Sequence, residues 1–181
     1  MNDPKVFRTK QLSALTDEIG VYALCDLDGV PIYIGQSTDG IRTRVRRHLT
    51  SARTDVIANR MIDVWEIAFV WAWPEPDLES IPFLEAFLFC HFDAQNTLMN
   101  GKMMPKPDKL PFDLPEKQVI QVINDETIKD RLDPQQRLPR QISQYLNLVD
   151  YILTVKDEVH LKRALQAHFE RLTAYHERFL L

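Results

Sequence analysis

Two tyrosines, Tyr22 and Tyr33, and the pair Arg44 and His48 are residues whose types and spacing could do chemistry. A phenol has an ordinary pKa of about 10, so it acts as a base at neutral pH only where nearby positive charge stabilises the phenolate. Arg44 offers a permanent charge suited to a phosphate, and His48, four residues later, can exchange a proton near neutrality. The alternative interpretation is an ordinary aromatic pair beside a solvated basic helix.

Glu85 is a carboxylate in the largely apolar run from Ile81 to Phe92. Burying a carboxylate is costly unless it is paired or bound to a cation. Hard cations such as Mg²⁺ accept one carboxylate together with water and phosphate oxygens. Glu85 is therefore a candidate metal ligand or, because it lies early in a predicted helix, a carboxylate that the helix dipole stabilises.

The elements that position these residues begin with a predicted hairpin, in which strands 20–26 and 30–35 flank the turn dipeptide Asp28-Gly29. The register predicted from a two-residue turn contains the pairs Leu27–Val30, Cys25–Ile32, Leu24–Tyr33, Ala23–Ile34 and Tyr22–Gly35. Both tyrosines then fall on the face opposite the apolar one. We expect that face to be accessible, with Gly35 leaving open space beside Tyr22.

Three more elements follow the hairpin. Residues 41–53 space their apolar side chains at helical intervals, and residues 64–73 alternate as a long, mostly buried strand. A further helix is predicted to begin near Ile81, where Ser80 can cap it. The order is therefore hairpin, helix, strand, helix.

The composition is that of a folded protein, with 45% hydrophobic and 27% charged residues among 181. Two distant cysteines and the lack of an apolar leader or membrane-length run predict a cytoplasmic protein. The net charge of -4 argues against a nucleic-acid partner, but residues 36–60 carry six arginines against two aspartates. A basic segment thus stands in an acidic chain.

Across residues 20–100 the chain resembles the GIY-YIG nuclease superfamily. The resemblance is carried, in order, by Gly20-Val21-Tyr22, Tyr33-Ile34-Gly35, Arg44, His48, Glu85 and Asn100. It implies an α+β fold, a small three-stranded antiparallel sheet flanked by helices, followed here by a helical C-terminal extension. It also implies that Mg²⁺ or Mn²⁺ supports hydrolysis of DNA to 5′-phosphate and 3′-hydroxyl ends.

The resemblance gives each site residue an expected role. Tyr22 is the general base, Tyr33 positions water or phosphate, Arg44 stabilises the transition state, His48 supports proton transfer, Glu85 is the metal ligand and Asn100 props the site. The choice of Arg44 rests on helical register and leaves Arg42 as the alternative. Gln36 stands where family members often carry a lysine, which removes one cation from the surroundings of the phenol.

Three regions are expected from these patterns: a nuclease domain over 1–102, a Pro-rich linker over 103–115 and a helical extension over 116–181. Within the extension, helices are predicted over 116–131 and 141–181. The extension is expected to pack on the domain or to mediate self-association as a homodimer.

The expected partner is DNA, contacted through Arg42, Arg46, Arg47 and Arg53. Two alternatives remain open. One is a catalytically silent module that uses the same scaffold to bind nucleic acid or protein. The other is a nuclease that acts as a toxin or defence effector with a protein partner.

Overall fold

The computed structural model describes residues 3–50, 61–107 and 113–181. Its helices are α1 (Pro4–Leu12), α2 (Ile41–Thr50), α3 (Ile81–Asp93), α4 (Asp125–Leu132), α5 (Pro134–Thr154) and α6 (Val159–Leu180). Its strands are β1 (Gly20–Cys25), β2 (Pro31–Ser37), β3 (Phe69–Pro74) and β4 (Gln118–Gln121). The fold is α+β, with an antiparallel sheet flanked by helices and a C-terminal region that is mostly helical.

The sheet has four strands in the order β2-β1-β3-β4, all antiparallel, rather than the three expected. The fourth strand comes from the segment 116–131, for which the sequence pattern predicts a helix. Helix α4 begins only at Asp125, because the Asn124 side chain accepts a hydrogen bond from the amide of Thr127 at 2.8 Å. Because β2 stands first in the strand order, it is an edge of the sheet, and β1 is internal.

The hairpin has the predicted register from Tyr22–Gly35 to Leu24–Tyr33, but its turn differs. The amide of Asp26 donates to the carbonyl of Val30 at 2.9 Å, and Gly29 has a φ of 77°, so the loop contains three residues instead of two. The register consequently shifts after Leu24, and Cys25 pairs with Pro31 rather than Ile32. Ile32 therefore packs in the same core as Tyr22 and Leu24, whereas the predicted register places it on the opposite, apolar face of the hairpin.

Three predicted element boundaries also change. The strand predicted over 64–73 begins at Phe69, because residues 64–66 form a turn in which the Asp63 carboxylate accepts from the Trp65 amide at 2.9 Å. The single helix predicted over 141–181 is two helices, α5 and α6, which are separated by residues 155–158. The end of the helix predicted over 41–53 lies outside the described residues, as does part of the linker.

Helices cover both faces of the sheet. On one face Val21, Ala23 and Ile34 pack against Leu84 and Leu88 of α3. The other face carries Tyr22. The helical residues of the core on this face are Leu12 of α1, Ile41, Val45 and Leu49 of α2, Leu148 and Ile152 of α5, and Leu161, Ala164 and Ala167 of α6. The expectation that both tyrosines lie on an accessible face is wrong for Tyr22, which is 1% exposed.

Within the described part of the chain, no helix combines the length and the apolar character needed to cross a membrane.

Candidate active site

The site is centred on the Tyr22 hydroxyl, beneath the edge strand β2. This hydroxyl shares a hydrogen bond of 2.8 Å with Nε2 of His48, which is itself 2% exposed. The positive charge of Arg44 acts on the same hydroxyl and lowers its pKa. A strand residue and two residues of α2 thus surround one oxygen atom.

Gly35 is the residue that lets the Tyr22 ring reach this position. A Cβ atom at Gly35 would lie 2.5 Å from the Tyr22 oxygen and 2.7 Å from Cζ, which is closer than atoms approach in proteins. The Tyr22 ring therefore occupies the space over Gly35. The expectation that Gly35 leaves open space beside Tyr22 is wrong. The glycine is required by close approach, since its backbone conformation is that of an ordinary strand.

Tyr33 completes an aromatic group with Tyr22 and His48. Its ring centroid lies 6.4 Å from that of Tyr22 and 5.9 Å from that of His48. Unlike Tyr22 and His48, Tyr33 is only partly buried. Tyr33 therefore connects the buried pair to solvent.

Helix α2 presents Arg44 and His48 to Tyr22 because residues four apart lie on one face of a helix. Arg42 makes different contacts, since it donates to Asp17 at 3.1 Å and to the carbonyl of Ser13 at 3.0 Å. The geometry thus brings Arg44, and not Arg42, to the phenol.

Glu85 lies on α3, on the far side of the same edge strand. Its carboxylate accepts a hydrogen bond from the backbone amide of Gln36. Burial raises the pKa of Glu85 to about 7 from 4.5, and the Gln36 amide opposes that shift. Its negative charge is also the smallest of the causes that shift the pKa of Tyr22, which it raises.

The phenol of Tyr22 is electrically neutral in this environment. Burial raises its pKa well above 10, the Tyr33 phenol adds to the shift, and Arg44 opposes it. A stored phenolate is therefore disfavoured. Proton transfer at Tyr22 needs an acceptor, and the only ring nitrogen within hydrogen-bonding distance in the described residues is His48 Nε2.

Asn100 supports strand β2 rather than contacting the phenol. Its Oδ1 accepts from the amide of Ile34 at 2.9 Å, and its Nδ2 donates to the carbonyl of Ile34 at 2.6 Å. The side-chain amide therefore pairs with an edge strand as a backbone peptide would. These two bonds hold the backbone of Ile34, the residue next to Gly35.

The donors available to a metal are few. No cluster of three or more His, Cys, Asp or Glu residues occurs among the residues that the structure describes. Glu85 is a partly buried carboxylate whose raised pKa reflects lost hydration. One such carboxylate fits Mg²⁺ or Mn²⁺, which keep several water ligands and use substrate phosphates.

The arginines predicted to bind DNA are not equivalent. Arg42 pairs with Asp17, and Arg47 pairs with Asp39, so both charges are partly neutralised. Arg46 is exposed on the same helix, and Arg53 lies outside the described residues. Arg44 and Arg46 are thus the described candidates for unneutralised phosphate contacts.

The sequence interpretation does not include Arg163 of α6, which donates to the carbonyls of Leu98 and Asn100. No local pattern marks such a residue, because its acceptors lie more than 60 positions earlier in the chain.

The chain matches no protein-family model, no curated protein and no solved structure. The side-chain geometry around β2 is therefore the basis for a functional proposal.

Proposed function

We propose that this protein is a divalent-metal-dependent DNA endonuclease of the GIY-YIG type. The observation that carries the proposal is the convergence of Tyr22, Tyr33, Arg44, His48 and Glu85 around one edge strand. These residues are scattered over more than 60 positions of sequence. A phenol, an imidazole, a guanidinium and a half-buried carboxylate together suit hydrolysis of a phosphodiester.

In the proposed reaction, water attacks phosphorus and loses a proton to the Tyr22 oxygen, while the phenol proton passes to His48 Nε2. This relay avoids a free phenolate, which burial disfavours. His48 ends as an imidazolium, and the departing 3′ oxygen takes a proton from solvent. Tyr33, which reaches solvent, is proposed to orient the water or the phosphate.

Arg44 is proposed to stabilise the negative charge that develops on the phosphate oxygens. It is exposed, and its charge acts on the Tyr22 hydroxyl, so a phosphate that it attracts would lie near the phenol. A planar guanidinium suits this role because it donates two parallel hydrogen bonds to phosphate.

Glu85 would hold the divalent cation. When bound, Mg²⁺ or Mn²⁺ supplies Lewis-acid stabilisation of charge on the phosphate. A cation would also neutralise a carboxylate whose hydration is largely lost in the fold.

Cleavage assays with supercoiled, linear duplex and single-stranded DNA, in the presence of Mg²⁺ or Mn²⁺, test the proposal. We expect divalent-dependent products whose ends can be ligated, as 5′-phosphate and 3′-hydroxyl ends can. The matched variants are R44Q and R46Q. The first should lower kcat on the order of a hundredfold or more, because it removes a donor that acts on transition-state charge. The second should mainly raise KM and weaken the salt dependence of binding, since a phosphate contact is lost.

A folded protein that binds DNA but cleaves none of these substrates would overturn the proposal in favour of the silent binding module. Equal losses in R44Q and R46Q would refute the assigned role of Arg44. Because the chain as a whole carries a net charge of -4, we expect DNA affinity to be modest and to fall steeply with added salt.

A further inference from the structure

The segment 98–100 runs along the open edge of β2. The amide of Met99 donates to the carbonyl of Ile32 at 2.7 Å, and the Asn100 side chain pairs with both polar groups of Ile34. An edge strand has unpaired amides and carbonyls on its outer side, and this segment pairs with the carbonyl of Ile32 and with both groups of Ile34. The backbone on either side of Tyr33 is thereby fixed, immediately before Gly35.

Helix α6 holds this segment through Arg163. The guanidinium donates to the carbonyl of Asn100 at 2.7 Å and to that of Leu98. It also binds the carboxylate of Asp93 at 2.5 Å, and Asp93 in turn accepts from the amide of Leu98 at 2.8 Å. The Arg163 side chain is only 14% exposed. One planar group thus fixes both ends of the segment.

Two further contacts keep α6 against the same loop. Gly101 lies so close to His160 that a Cβ atom at Gly101 would be 2.6 Å from the His160 Cβ. The Thr97 side chain lowers the pKa of Glu170 on α6, and both residues line the same cavity. The contact is therefore an extended packed interface, with Arg163 supplying its central hydrogen bonds.

We propose that Arg163 is a positioning residue for the candidate active site, acting through Asn100 on the backbone of β2. The inference rests on the proposed function and deepens it, since it makes the C-terminal extension part of the catalytic apparatus. The connection runs from Arg163 to Asn100, then to Ile34, and ends at Gly35, against which the Tyr22 hydroxyl rests. Arg163 itself touches neither the phenol nor Glu85 through any contact that the structure describes.

The kinetic test compares R163Q and R163K with the control K162Q. Lys162 neighbours Arg163 on α6, but its side chain is 57% exposed and pairs with Asp157. We expect R163Q to lower kcat about tenfold to a hundredfold with KM changed less than about twofold, because small displacements of reacting groups cost rate rather than affinity. R163K keeps the charge without the planar fork, so kcat should fall in the same direction. K162Q should cleave like the wild type.

A double-mutant cycle separates positioning from general destabilisation. If Arg163 acts through Asn100, the variant carrying both R163Q and N100A should cleave no more slowly than N100A alone. Independent, multiplied losses would overturn the proposal. Should R163Q fail to fold, R163K serves in the same cycle, and wild-type kcat in a folded R163K variant would also overturn it.

Amide hydrogen exchange gives a readout that does not depend on cleavage. The Ile34 amide, which donates to Asn100, should exchange faster in R163Q and R163K, while amides of β1 and β3 keep their protection. Unchanged exchange at Ile34 would overturn the positioning role even if the wild type cleaves DNA. If the wild type cleaves no DNA, the proposed function is wrong and Arg163 has no catalytic role. Faster exchange of the Ile34 amide in R163Q would in that case show that Arg163 still fixes β2, so that only the proposed function has failed.

Discussion

Replacing Glu85 with glutamine tests the electrostatic state of the candidate metal ligand without relying on catalysis. In the folded protein the pKa of Glu85 is about 7, compared with 4.5 for an ordinary glutamate. This difference corresponds to about 3 kcal/mol between the two protonation states. Burial is its cause, so the charged form is the one that folding disfavours.

The sign of the effect follows from the raised pKa. The protonated carboxyl is favoured by folding, so its contribution is fully present below pH 4.5 and is lost as the pH rises through about 7. Glutamine has the same shape, stays neutral and can still accept from the Gln36 amide. Relative to E85Q, the wild type should therefore lose about 3 kcal/mol of stability between pH 4 and pH 8.

Urea unfolding in EDTA, followed by tryptophan fluorescence at pH 4 and pH 8, measures this difference. The matched control is E79Q, which removes the same negative charge from an exposed position just before α3. An equal difference between wild type and E85Q at both pH values would refute the assigned burial of the charge.

Adding Mg²⁺ at pH 8 extends the same experiment to the metal. Binding to the ionised carboxylate of the folded state should restore stability, by about 2.7 kcal/mol when the free metal reaches a hundred times its Kd. E85Q should not respond. Equal stabilisation of both proteins would mean that the cation binds elsewhere.

Three other predictions concern the surroundings of the site. G35A places a methyl group against the Tyr22 ring, so we expect a loss of about 1 to 3 kcal/mol in urea unfolding and a lower kcat. A kcat equal to that of the wild type would contradict the close contact between Gly35 and Tyr22. R137M removes a fully buried guanidinium that binds Glu66 at 2.6 Å and leaves this buried carboxylate with Arg140 as its arginine partner, so we expect a loss of about 3 to 5 kcal/mol in urea unfolding. R140Q, at the more exposed of the two arginines, should cost less. Burial lowers the pKa of His168 from 6.5 to about 4, so the stability of the wild type should fall as the pH drops from 6.5 to 4. The variant H168Q keeps a donor for the Met61 carbonyl but does not titrate, so it should remove up to about 3 kcal/mol of this pH dependence.

Much of the candidate site could be predicted from sequence because local rules place its members. A hairpin register fixes which strand residues face each other, and the predicted Tyr22–Gly35 pair is found because the register shift between Leu24 and Cys25 offsets the longer loop. Helical spacing likewise puts Arg44 and His48 on one face. The predicted turn is wrong because the Asp26 carboxylate accepts from the amides of Asp28 and Val30, which stabilises a longer loop than the Asp-Gly dipeptide suggests.

The burial of Tyr22 could not be predicted in the same way, since it depends on which later segments cover its face of the sheet. Alternation in a strand identifies two faces, but it does not say whether a later segment will cover the second one. Here His48 of α2 contacts Tyr22, and Leu148 of α5 and Leu161 of α6, more than 100 positions further along the chain, belong to the same core. The contacts of Arg163 are hidden from local rules for a similar reason, because its acceptors lie far away in the sequence.

The predicted nuclease domain and the predicted extension are separate along the chain, but in the fold they share a sheet and an ion pair. Strand β4 belongs to the extension, yet it pairs with β3, and Arg137 of α5 binds Asp28 at 2.5 Å in the turn of the hairpin that carries both tyrosines. Removing the extension would expose the part of the core around Tyr22 that α5 and α6 supply, and would leave the buried carboxylate of Glu66 without its two arginines. Burial raises the pKa of Tyr22, and the proton relay to His48 that we propose avoids the phenolate that burial disfavours, so a core to which the extension contributes bears on the proposed chemistry as well as on the fold.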